Sequence, residues 1–135
     1  MTQSEIDELI LLLQSGVEGD LVRIGKLVSE KSRFKALATK YLKRLAKALG
    51  LTDFKVIFNP GGVAVSGEAS LSSDRVYVSL GCTSPELGVL YRKCVRVEGK
   101  KPKYESARYG NNWMPFRTLS DFDRVVEILS TMVRT

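Results

Sequence analysis

The residues of this chain best placed to do chemistry are cations. Arg33, Lys40, Lys43, Arg44 and Lys47 fall within one arc of a helix drawn at 100° per residue. A stripe of that kind can neutralise successive phosphates of a polyanion. It is also what the solvated outer face of a core helix looks like. Residues 31–49 hold seven basic side chains and no acid, which pulls the reading towards a binding role without deciding it. A second cluster interleaves Arg92, Lys93, Arg96, Lys100, Lys101, Lys103 and Arg108 with Tyr91, Tyr104, Tyr109 and Trp113. Exposed aromatics on a sheet can stack bases while neighbouring cations hold the backbone. The plainer alternative places Tyr91 and Trp113 in the core and leaves the lysines to keep a hairpin soluble.

Several chemistries are excluded. The 135 residues contain no histidine, so Ser-His-Asp and Cys-His nucleophilic machinery cannot be built, and the commonest transition-metal ligand is missing. Cys82 and Cys94 lack Cys-x-x-Cys spacing and are too few for a structural zinc site; reduced, buried thiols are the expectation. Gly61-Gly62 lacks the Gly-Lys-Ser/Thr ending of a phosphate loop and leads into a strand; Asn59-Pro60-Gly61-Gly62 reads as a turn. No cofactor and no metal site are expected. An enzyme would have to work with carboxylates, Lys, Tyr or a magnesium ion.

The formal charge of +6 is uneven, since the first twenty residues carry five acids and no Lys or Arg. Such asymmetry suggests an anionic partner, or two oppositely charged surfaces that meet in an oligomer. A hydrophobic fraction of 44% with 27% charged residues is that of a globular chain, and residues 1–135 read as one domain. No apolar run is long enough to span a membrane, and the N-terminus has no basic n-region. A cytoplasmic protein with no membrane partner is expected.

The elements that must position these residues come in three blocks. Residues 1–50 are helical. The apolar spacing predicts a helix over 4–14, capped by Thr2 or Ser4 with Glu5 or Asp7 in reach. A second helix follows Asp20, and Ser32 either restarts or continues it. A third stretch places Phe34, Leu37, Ala38, Tyr41, Leu42, Leu45 and Leu49 on one face and ends at Gly50. Residues 54–109 then read as strands: a short apolar run over 54–58, alternation over 63–71 and over 75–80 with Val76, Val78 and Leu80 on one face, a fourth strand over 89–97, a turn over 98–102, and 104–109 able to return as a fifth. Asn111 and Asn112 read as turn formers whose amides could also line a polar site. Thr118 or Ser120 caps a last helix over 118–134. Short connections imply an antiparallel meander. The expected fold is α+β: N-terminal helices, a central antiparallel sheet of four to five strands, and a C-terminal helix packed on the sheet.

Two resemblances bear on function. Val95-Arg96-Val97-Glu98-Gly99-Lys100 resembles the strand-borne Glu-x-Lys of the PD-(D/E)xK nucleases, although the upstream Pro-Asp is missing. That resemblance implies Glu98 and an upstream acid, Asp74 or Glu68, holding magnesium beside Lys100; Glu-Gly-Lys-Lys-Pro is equally a solvent-exposed turn. Across residues 61–113, Gly61-Gly62-x-Ala64-Val65-Ser66-Gly67-Glu68, Val76-Tyr77-Val78, Leu90-Tyr91-Arg92-x-Cys94 and Gly110-Asn111-Asn112-Trp113 are similar to small hypothetical proteins of bacteriophages and prophages. This chain departs from them in the basic turn after Val97. The likeness implies a mobile-element accessory role in replication, genome handling or interference with a host system, and nominates Glu68, Tyr91, Arg92, Asn111 and Asn112 as positions to mutate, of which Glu68, Tyr91, Asn111 and Asn112 could form a polar site.

The expectation that leads is a non-enzymatic basic protein contacting nucleic acid through its two basic surfaces. Behind it stand a protein-interaction module that modulates a host factor or self-associates, and a metal-dependent nuclease using Glu98 and Lys100.

Overall fold

The computed structural model describes residues 1–15, 24–59, 67–81, 88–95, 103–104 and 111–133. Helix α1 runs Gln3–Ser15. Its start is a reciprocal capping box: the Glu5 N–H donates to Thr2 Oγ1 at 3.1 Å and the Thr2 N–H to Glu5 Oε1 at 3.0 Å. Ile6, Leu9, Ile10 and Leu13, at helical spacing, are its buried face.

Helix α2, Ile24–Ala48, is one continuous helix of 25 residues, which is the continuing one of the two readings left open at Ser32. Ser32 neither starts nor caps anything; it lies exposed within the helix. Phe34, Leu37, Ala38, Tyr41, Leu42, Leu45 and Ala46 are almost wholly buried, each large side chain contributing about 1.5–3 kcal/mol of apolar burial. Gly50 ends the helix in the left-handed region at φ 72°. The Leu51 N–H then reaches back to the Ala46 carbonyl at 3.0 Å and the Gly50 N–H to that of Lys47 at 3.1 Å. With Leu51 itself buried, this is a complete Schellman stop.

Strands β1 (Phe54–Asn59), β2 (Glu68–Ser73), β3 (Val76–Gly81), β4 (Val89–Val95) and β5 (Lys103–Tyr104) form an antiparallel meander in that order. A short strand β6 (Asn112–Met114) pairs with the first half of β4, on the edge whose second half carries β5. The α+β architecture expected from the sequence is therefore the one observed, with an added strand. Asn112 lies within β6, opposite Tyr91. It is a ladder residue and not the turn former its type suggested; three residues of pairing outweigh a weak turn preference.

Registry fixes which side chains share a face. Phe54, Val56 and Phe58 lie opposite Ser73, Leu71 and Ala69; Leu71 lies opposite Val78, Val78 opposite Tyr91, and Val89 opposite Met114. All these side chains except Ser73 belong to the hydrophobic cluster of α1 and α2 or pack against it. The helices thus cover one face of the sheet.

The chain returns from β6 through a 3-10 helix, Phe116–Ser120, to α3, Phe122–Val133. The final helix starts later than the sequence suggested, and Asp121 caps it. Its carboxylate accepts the Arg124 N–H at 3.2 Å and its carbonyl the Val125 N–H at 3.1 Å. Ser120 donates its hydroxyl to the Arg117 carbonyl at 2.7 Å and Thr118 lies inside the 3-10 helix, so neither caps α3. The buried Tyr41 hydroxyl donates to the Leu119 carbonyl at 2.9 Å, tying α2 to the 3-10 helix. No helix among the described residues is long and apolar enough to cross a membrane.

Candidate functional site

The basic stripe of α2 meets the acids of α1. Arg33 donates from Nε and Nη2 to the two oxygens of Glu8 at 2.9 and 2.8 Å, a bidentate pair. Lys40 donates to Glu5 Oε2 at 3.0 Å. The Arg44 guanidinium lies 4.0 Å from the ring centre of Phe122, which meets Tyr41 edge-on at 5.6 Å. The acid-rich N-terminus and the basic helix are thus two halves of one intramolecular contact. Lys43 and Lys47 remain exposed on the outer face.

Electrostatics follow this geometry. Glu5 is held down from an ordinary 4.5 to about 2, first by the Thr2 N–H in the capping box and then by Lys40. Glu8 is lowered and Arg33 raised, in each case chiefly by the hydrogen bonds they share.

The second face of the sheet carries none of the described helices' apolar faces; Lys55, Ile57, Asn59 and Trp113 are exposed on it, whereas Ser79 and Cys94, of the same parity, are buried. Strand alternation places Lys55, Ile57 and Asn59 of β1 there, with Glu68, Ser70 and Ser72 of β2, Tyr77 and Ser79 of β3, Leu90 and Arg92 of β4, and Trp113 of β6. One row runs Ile57, Ser70, Ser79, Leu90, Trp113 across five strands. At its two ends Ile57 is 51% exposed and Trp113 39%, high values for large apolar side chains. The adjoining row runs Lys55, Ser72, Tyr77, Arg92. In it the Arg92 guanidinium carbon stands 5.7 Å from the Tyr77 ring centre. At the β2 end, the Glu68 carboxylate accepts the Ser79 hydroxyl at 2.7 Å and the Tyr77 hydroxyl at 3.3 Å through the same oxygen.

Gly88 sets the geometry of the β4–β6 margin. It lies at φ 91°, and a Cβ there would come within 2.0 Å of the Met114 carbonyl oxygen. Only glycine lets β6, and with it Trp113, approach so closely.

The residues nominated from sequence are distributed across these surfaces. Arg33, Lys40, Lys43, Arg44 and Lys47 do share one side of α2, three of them already engaged. Glu68 and Arg92 reach the open face. Tyr91 and Asn112 lie opposite each other on the covered face and Asn111 is exposed beside them, so the four polar residues Glu68, Tyr91, Asn111 and Asn112 do not form one site. Lys93 is only 8% exposed and shares the covered face. Lys103 lies in β5. Arg96, Glu98, Lys100 and Lys101, with Cys82, Arg108 and Tyr109, lie outside the described residues. Of the two acids considered as partners for Glu98, Glu68 opens β2 and Asp74 follows its end, roughly 20 Å away at 3.3 Å per residue; the two cannot serve one site. Among the described residues no group of three or more acids or cysteines could hold a metal ion. Cys94 is a free, buried thiol, pushed up to about 11 by its burial.

Tyr77, Ser79, Lys55 and Ile57 were not singled out from sequence. The signal for the first two was present: alternation that buries Val76, Val78 and Leu80 must turn the residues between them outward. Residues 54–58 read as a uniformly apolar run, which hid the outward parity of Lys55 and Ile57.

No protein family matches the chain, and no characterised protein or solved structure matches it either.

Proposed function

We propose that this is a non-enzymatic protein that binds single-stranded nucleic acid on the open face of its sheet. The observation that carries the reading is Trp113, 39% exposed at the end of a five-strand row, with the Arg92–Tyr77 pair in the next row. A flat sheet bearing aromatic rings offers stacking surfaces that any unpaired base can use, while cations beside them hold the phosphates. A duplex hides its base faces and gains nothing from such a platform. Lys55 and Arg92 supply charge on the face itself. The segment joining β4 to β5 adds Arg96, Lys100 and Lys101 in sequence. The α2 stripe fits the role less well, because Arg33, Lys40 and Arg44 already have partners within the chain. The resemblance to phage proteins accords with a role in handling exposed strands during genome replication.

Trp113 is the only tryptophan, so its emission reports on this face alone. Titration with single-stranded DNA and RNA should quench it, with an affinity that weakens steeply as salt rises. Fluorescence anisotropy of labelled single strands and a duplex supplies the comparison, and the single strands should bind more tightly. Unchanged emission and anisotropy at low ionic strength would overturn the reading.

A further inference from the structure

A carboxylate is an odd occupant of a surface meant for phosphates. Glu68 is nonetheless built into the open face: Ser79 and Tyr77 both donate to its Oε1, which fixes the carboxylate against β3. Ser79 is buried beneath it and shares the row of Trp113. Two strand spacings of about 4.8 Å separate β3 from β6, so roughly 10 Å separates the carboxylate's anchor from the indole. Among the described residues, Oε2 accepts no hydrogen bond. The result is a fixed acceptor beside a stacking platform, with cations in the neighbouring row.

The chemistry of the bases decides what such an acceptor selects. A carboxylate accepts and cannot donate. The Watson–Crick edge of guanine presents two adjacent donors, N1–H and the N2 amino group, and Oε2, the oxygen that Ser79 and Tyr77 leave uncommitted, can accept from both. Adenine and cytosine offer one amino group beside a ring nitrogen that is itself an acceptor, and uracil or thymine offers one N–H between two carbonyls. Each of these three sets an acceptor against the carboxylate.

Resting on the platform reading above, we infer that Glu68 makes the site selective for guanine in a single strand. Phosphate attraction positions the strand, stacking on Trp113 orders it, and Glu68 reads one base that lies over Ser79. The two roles separate cleanly, since base contacts specify where phosphate contacts only position.

The test uses RNA nonamers of uridine with a single central guanosine, adenosine, cytidine or inosine, titrated against the full chain and followed by Trp113 quenching. The guanosine oligomer should bind roughly tenfold more tightly than the uridine parent, the lower end of the scale for a specific base contact. Inosine, which lacks the N2 amine, should lose most of that gain. Glu68→Gln keeps an acceptor for Ser79 but presents a donor to guanine; it should abolish the preference while binding the uridine parent at least as well as the wild type. Equal affinity for all five oligomers in the wild type, or a guanine preference untouched in Glu68→Gln, would overturn the inference and leave the platform standing. No quenching by any oligomer would overturn both.

Discussion

Two regions of this molecule carry clustered cations, and the structure treats them in opposite ways. On α2, Arg33 and Lys40 are hydrogen-bonded to Glu8 and Glu5, and Arg44 lies over Phe122. Those charges hold the N-terminal helix and the final helix against the core. On the open face of the sheet, Lys55 and Arg92 stand among Tyr77, Leu90, Ile57 and Trp113, with no helix above them among the described residues. The difference teaches that a run of basic residues is not in itself a site. The cations of α2 take acids from α1 and a ring from α3, whereas Arg92 takes the Tyr77 ring of its own sheet face. α1 engages two of the five cations of the α2 stripe, Arg33 and Lys40, while Lys43 and Lys47 stay exposed.

The comparison breaks most severely at Gly88. Gly88→Ala drives a methyl group into the Met114 carbonyl at a backbone angle that other residues avoid. It should cost about 2 kcal/mol or more and pull β6 away from β4. Urea unfolding and a red shift of Trp113 emission are the readouts. If the sheet face carries the site, single-strand affinity should fall in this variant, while the Arg33–Glu8 and Lys40–Glu5 pairs, which involve no residue of β6, persist. Wild-type stability in this variant would mean that β6 is not held as described.

Trp113→Ala comes next. A base stacked on an aromatic contributes about 1–3 kcal/mol, so affinity for a single strand should fall roughly tenfold or more, measured by anisotropy because the fluorophore is gone. Folding stability should fall by less than for a core aromatic, since the ring keeps 39% of its surface in solvent. A large stability loss with unchanged binding would reverse the assignment and make Trp113 a structural residue.

Much of this was legible in the sequence, and the part that was not has identifiable causes. The face of α2 from Phe34 to Leu45 could be read because helical periodicity and burial agree there, and Gly50 terminates it where expected. The capping box of Thr2 and Glu5 was equally plain. The α1–α2 ion pairs were not, because residues 25 and 35 positions apart meet only through tertiary packing, so charge asymmetry along the chain looked like a call for an external partner. β6 was missed because Asn111-Asn112 is a turn signal and three paired residues leave no periodicity to detect. The open face was half visible: alternation in β3 predicted that Tyr77 and Ser79 point away from the core, yet register alone brings them beside Glu68 and Arg92.

A smaller effect sharpens the contrast from the other side. Lys43→Glu combined with Lys47→Glu reverses the exposed remainder of the α2 stripe. If the sheet carries the site, affinity for a single strand should fall by less than about threefold near physiological salt, where exposed charges beyond about 8 Å are largely screened. A tenfold or greater loss would place the strand on α2 and make the open face incidental.

A still smaller effect is expected from the ion pairs that α2 makes with α1. Glu5 is held near 2 in the folded chain against an ordinary 4.5, and Glu8 is lowered in the same direction. A depressed folded value means the carboxylates stabilise the fold fully above the unfolded value and lose that contribution as pH falls through the folded one. Between pH 4.5 and about 2 the wild type should therefore lose stability more steeply than Glu5→Gln, which cannot titrate there. Urea midpoints taken across that window give the comparison directly. Arg33, Glu8 and Lys40 are substantially exposed and Glu5 is partly so, so added salt should shrink the difference. Superimposable pH profiles would mean that α1 is held by Ile6, Leu9, Ile10 and Leu13 alone. The cations of α2 would then be as available to a polyanion as their sequence suggested, and the distinction between the two basic regions would rest on aromatic content rather than on charge pairing.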